Sequence, residues 1–229
     1  MKRIIILMGV GLLLTCNFML ISCSDEKINQ PETDNTLHDI SGRITNWNYG
    51  SGKSLSMYPN PPYAKSLVGN SVISSNGDFS ILLSDPPSTE LKSILELEDI
   101  HGNNNLSISD TSVKGCFCEF LIKLDSENHF IGEMSPEQNQ NTVQVGNYSC
   151  RYIYLDKSIS ITGKLIRTIY NDSYEVRYNL NYSKGWNIRT DKFIGENMID
   201  SVKRVQYFEY KNTQEPDMVF KAHMWGGVR

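Results

Sequence analysis

From Leu37 the signals are strand signals, clearest where apolar residues recur at every second position rather than every third or fourth. The clearest case is Tyr174, Val176, Tyr178, Leu180 and Tyr182, alternating with Glu175, Arg177, Asn179 and Asn181. An unbroken period of two describes a strand with one buried and one solvated face. Ile159, Ile161 and Leu165 alternate with Ser158, Ser160, Thr162 and Lys164 in the same way. Further strands are expected over 40–47, 54–58, 66–74, 78–83, 116–124, 148–155, 202–210 and 218–225. Asn76-Gly77 between two apolar runs predicts a hairpin, because both residues tolerate positive φ. Asp156-Lys157 predicts a second tight turn, and Pro59, Pro61, Pro62 and Pro86-Pro87 break the pattern. Helix is confined to single turns: one capped by Ser88 or Thr89 and running toward Leu95, another over 195–200. Polar loops are expected around 103–105 and 137–141.

Composition agrees with that pattern. Ala64 and Ala222 are the chain's alanines, against 12 Tyr and many Ile, Val, Thr and Ser. Alanine favours helix, whereas aromatic and β-branched residues suit a pleated surface. The expected fold is all-β: an antiparallel β-sandwich of transthyretin- or immunoglobulin-like type, with a second packed β region. A helical bundle or an alternating α/β enzyme is excluded. The net charge of −4 argues against nucleic acid as a partner.

The first 22 residues read as an address. Lys2 and Arg3 precede an apolar run from Ile4, and the segment ends on Leu20-Ile21-Ser22-Cys23. That ending resembles a bacterial lipobox, which implies cleavage before Cys23 and a thioether-linked diacylglycerol on its thiol. Two or more acyl chains anchor a protein stably, whereas one holds it only marginally. Ser24-Asp25-Glu26 is similar to the acidic export signal of Bacteroidetes-type surface lipoproteins and implies an outer-membrane protein facing the cell exterior. Residues 23–36, polar and containing Pro31, are expected to form a flexible tether.

The stretch 37–95 carries a second resemblance. Its "ISGRITNW", a Gly-rich turn, and "SSNGDFSILLSDPPSTELKSI" are similar to the opening of a carboxypeptidase-regulatory or transthyretin-like β-sandwich. Gly42, Asn76-Gly77-Asp78-Phe79 and Pro86-Pro87 carry the match. Such a module implies adhesion or spacing, with no catalytic residues to transfer. Residues 96–229 are expected to form a C-terminal antiparallel β region.

Candidate chemistry is sparse. Gly52-Lys53-Ser54 mimics the end of a phosphate-binding loop, but Trp47 stands where the motif requires glycine and no helix follows. No G-x-S-x-G occurs, and Glu96, Glu98 and Asp99 read as a solvated face. Cys116, Cys118 and Cys150 are either buried thiols or include one disulfide. His38, His101, His129 and His223 lack metal-ligand spacing, so neither a metal nor another cofactor is expected. The tyrosine faces of 148–154 and 174–182 are either the inner wall of a sandwich or a platform for sugar rings. Tyr152, Tyr178 and Trp186, the last following Gly185 at a turn, are the candidate ligand contacts. The expectation is a non-enzymatic lipoprotein that binds a glycan or an envelope protein at the cell surface. A fimbrial or pilin-like subunit, donating residues 218–225 as a strand, is the alternative.

Overall fold

In a computed structural model, the structure describes residues 37–59, 66–100, 105–124, 129–138, 144–169, 172–198 and 204–225. The lipobox Cys23 and Ser24-Asp25-Glu26 lie outside them. Period-2 segments become strands where the sequence pattern places them: β1 (Asp39–Arg43), β2 (Lys53–Pro59), β3 (Gly69–Ile73) and β4 (Asp78–Leu82). The short β5 (Lys92–Ser93) precedes α1 (Ile94–Leu97), whose N-terminus is capped by Ser93 Oγ accepting from the Glu96 N–H. β6 (Asn105–Ile108), β7 (Lys114–Leu124), β8 (Phe130–Gln138), β9 (Tyr148–Leu155) and β10 (Ile159–Ile169) follow. The chain ends with β11 (Asp172–Tyr182), β12 (Gly185–Met198), β13 (Arg204–Lys211) and β14 (Met218–Met224). The protein is all-β.

A 12-stranded sheet runs in the order β3-β2-β7-β8-β9-β12-β13-β11-β10-β6, with β14 joined to β8 and β5 to β7. β1 and β4 form a separate two-stranded sheet packed against it. Ile40, Ile44, Phe79 and Ile81 bury against Leu55, Met57, Phe120, Ile122 and Phe220. A second core collects Ile94 and Val113 with Ile153, Leu155, Ile161, Leu165, Val176, Leu180 and Tyr182. β9 serves both: Tyr152 and Tyr154 face the first core, Ile153 and Leu155 the second. A strand buried on both faces loses its alternation there, and residues 152–155 are all buried.

Several expectations change. Residues 37–95 and 96–229 share a sheet: all described residues belong to one compact unit, and β2 pairs with β7 from Lys53↔Leu124 to Pro59↔Cys118. The turn at Asn76-Gly77 forms, with Gly77 at φ +86°, but its arms enter different sheets, β3 pairing with β2 and β4 with β1. Asp156-Lys157 likewise joins β9 to β10, which are not ladder partners. The C-terminal region is not wholly antiparallel, since β11 and β13 run parallel from Ser173↔Val205 to Asn179↔Lys211. The helical turn expected over 195–200 is replaced, as far as Met198, by the end of β12, which pairs with β13 there. Glu98 is not solvated: it is buried beneath the second core.

Candidate functional site

The tyrosine and tryptophan candidates form core, not platform. Trp186 is 2% exposed, because Gly185 opens β12 and the next side chain falls opposite Tyr154, whose ring it meets edge-on at 5.4 Å. Tyr178 lies in the second core against Tyr210, ring centroids 5.2 Å apart, and burial raises its hydroxyl pKa. Tyr152 packs edge-on against Phe120 at 5.4 Å. Tyr154 donates to Asp85, and its pKa is pushed up to about 12, chiefly by burial. Tyr178 and Trp186 offer no ring to solvent, and Tyr152, 4% exposed, lines a cleft between strands.

Cys116, Cys118 and Cys150 are free, buried thiols. Cys118 faces Tyr152 across the β7–β9 ladder, which leaves Cys150 diagonal to it. Diagonal neighbours stand about 7–8 Å apart, beyond the Cα separation of a relaxed disulfide. Burial pushes the Cys118 thiol up, with Cys116 adding to it. Cys150 is pushed up to about 11, by burial, against a hydrogen bond with Thr190 that lowers it. Both thiols are held protonated and inert near neutral pH.

What the fold builds instead is an opening in the main sheet. β7 pairs with β9 only from Gly115↔Leu155 to Cys118↔Tyr152, then turns to β8 from Phe120↔Met134. β8 meets β9 at the single pair Glu137↔Ser149. Between these contacts the three strands enclose a triangle across which Glu119, Ser135, Pro136, Cys150 and Arg151 face no residue. Pro136 suits its edge, having no N–H to offer a ladder. A cleft of 490 Å³ occupies this triangle. Its floor is made by side chains from the core face of the sheet: Cys118, Phe120, Met134, Pro136, Cys150 and Tyr152. Glu119, Glu133, Ser135, Glu137, Arg151 and His223 form the rim on the outer face.

The rim is unevenly charged. Glu137 has a cation beside it, Lys221 Nζ at 3.4 Å, and the His223 ring, Nε2 at 3.7 Å. Among the described residues, Glu119 and Glu133 have no ion-pair partner. Burial, then the neighbouring Glu133, hold the Glu119 carboxyl above its ordinary range, while Arg151 pulls it the other way. Arg151 is itself engaged 3.5 Å from Asp191.

Ser135 Oγ lies 2.9 Å from His223 Nε2, which invites comparison with a hydrolytic relay. In such a relay the serine uses one ring nitrogen and the carboxylate the other. Here Glu137 approaches the same Nε2 that Ser135 contacts, so it cannot orient the ring for proton abstraction. Among the described residues no three His, Cys, Asp or Glu side chains are placed to hold a metal ion.

Beneath the rim lies a buried ionic network. Arg189, 3% exposed, donates through Nη1 to both Glu98 carboxylate oxygens at 2.8 Å. It also grips Asp191 with two bonds, Nε to Oδ1 at 2.6 Å and Nη2 to Oδ2 at 2.8 Å. Its guanidinium lies between the rings of Phe117 and Tyr210, 4.4 Å from each centroid. Burial opposes the Arg189 charge, but Glu98 and Asp191 outweigh it and its pKa is raised. Phe117 lines the cleft and Asp191 holds Arg151, so this network fixes one wall of it.

No cleft residue except Tyr152, Cys118 and Cys150 is among the sequence candidates. The others come from strands distant in sequence, and the one local signal is Pro136 inside a strand. Among the described residues no helix is long and apolar enough to cross a membrane. No family model matches the chain, and no curated protein or solved structure matches it.

Proposed function

We propose that this chain is a non-enzymatic binding module of the bacterial cell envelope, held to the outer membrane by lipid on Cys23 and facing outward. Its recognition site is the cleft framed by β7, β8 and β9, and its ligand is a glycan or a segment of another envelope protein. The observation that carries this reading is the divergence of β7 from β9, which opens a polar-rimmed cavity with aromatic residues in its floor. Binding sites are concave, with an apolar body and a few convergent polar groups, and the cleft has that character. The pairing of Ser135 and Glu137 with one histidine nitrogen favours binding over hydrolysis.

A donated-strand role finds no support in β14. It pairs with β8 from Met218↔Gln138 to Met224↔Gly132, and the Thr45 N–H donates to Phe220 O on its other side. Phe220 and Ala222 belong to the first core.

The test is a glycan and peptide array probed with the full chain and with Ser135→Trp, which fills the mouth of the cleft. Hits for the wild type that Ser135→Trp loses support the reading. Hits that survive the substitution, or turnover of a bound ligand, overturn it.

A further inference from the structure

The cleft joins two features that constrain its ligand. Glu119 and Glu133 face it with charges that, among the described residues, no cation within ion-pair distance matches, while the remaining rim carboxylate, Glu137, is matched by Lys221. Beneath them lie Phe120 and Tyr152, an edge-to-face aromatic pair at 5.4 Å that lines the cavity. A neutral occupant would cover the two carboxylates, deepening the desolvation that already raises Glu119. An anion would add repulsion. An organic cation does the reverse: it pairs with both carboxylates and sets its alkyl stem against ring and Met134.

Resting on the binding-module reading above, we propose that the cleft selects a ligand bearing a single organic cation, an ammonium or guanidinium group on a short aliphatic or sugar stem. The 490 Å³ volume takes one such group and its stem, not an extended chain. Specificity comes from Glu119 and Glu133, which reject neutral and anionic analogues of the same shape. Arg151, tied to Asp191 on the far wall, limits entry to one cation and orients any carbonyl or hydroxyl that follows it.

The experiment is a titration of the full chain, followed by NMR shift changes, with Nα-acetyl-lysine amide, Nα-acetyl-arginine amide and glucosamine. Nα-acetyl-norleucine amide, Nα-acetyl-citrulline amide and glucose serve as neutral counterparts of matching shape. At least one cationic probe binds at the cleft and exceeds its neutral counterpart by about tenfold, the sum of two partly exposed ion pairs. Which probe wins identifies the source, peptide side chain or amino sugar. Glu119→Gln with Glu133→Gln removes that advantage while leaving the circular dichroism unchanged, and added salt weakens the wild-type interaction. Equal binding of neutral and cationic probes overturns the charge inference and leaves the module reading standing. Absence of binding by every cationic probe overturns the inference, and the array experiment above then judges the module reading alone.

Discussion

Replacing Arg189 with methionine should cost about 4 kcal/mol of stability, within the 3–5 kcal/mol range for breaking a buried ion pair. Methionine keeps most of the aliphatic length between Phe117 and Tyr210 but removes four charge-assisted hydrogen bonds. The intact network is not itself a large stabiliser, because desolvating an arginine and a glutamate offsets most of their attraction. What the substitution exposes is asymmetry. Asp191 retains Arg151 at 3.5 Å, whereas the carboxylate of Glu98, 2% exposed, is left with no cation, Arg167 donating only to the Glu98 backbone carbonyl. A domain stable by about 5–15 kcal/mol survives such a loss, so urea unfolding followed by circular dichroism can measure it. The double variant Glu98→Leu with Arg189→Met should be more stable than Arg189→Met alone, since it removes the stranded carboxylate. A cost below about 1 kcal/mol for Arg189→Met, or a double variant less stable than it, would refute the reasoning.

Other outcomes follow from the same geometry. Gly42→Ala should destabilise by about 1–3 kcal/mol in urea unfolding, because its Cβ would stand 2.7 Å from the Phe220 ring. With Cys150 pushed up to about 11 and Cys118 also raised, folded protein at pH 7.5 should resist iodoacetamide at both positions. In denaturant without reductant all three of Cys116, Cys118 and Cys150 should alkylate, and a disulfide-linked peptide in the mass spectrum would contradict the free thiols. Chain termination after Asp217 should abolish folding, read as loss of the β-type circular dichroism, because Phe220 and Ala222 leave the core. Cation binding at the cleft should weaken as pH falls, because protonation of Glu119, whose carboxyl is held above its ordinary range chiefly by burial, removes a negative charge from the rim it shares with Glu133, Glu137, Arg151 and His223. Binding that strengthened on acidification would contradict this. Cys23→Ala should release the protein from the membrane fraction and end its lipid labelling.

The strands that the sequence makes legible are those with one wet face. β11 reads at sight because Tyr178 and Leu180 are buried while Arg177, Asn179 and Asn181 stay exposed. β8 is illegible because Gly132 carries no side chain and Pro136 reads as a breaker. The glycine is needed there, since a Cβ would stand 2.8 Å from His223 O on β14. β12 is hidden for the opposite reason: Asn187, Arg189 and Thr190 look solvated yet are buried. Their partners, Ser183 O for Asn187 and Glu98 for Arg189, are known only once the chain has folded. Glu98 looks solvated for the same reason, its partner lying 91 residues along the chain. The cleft is the extreme case. It is defined by where three ladders stop, and hydrophobic period carries no record of that.

The most direct measurement is a shift map of the full chain with the strongest array ligand. Perturbed amides are expected at Glu119, Ser135, Ser149, Arg151 and His223, around the opening between β7, β8 and β9. Perturbations confined to another surface, such as the outer face of β10 and β11, with these five unmoved, would contradict it.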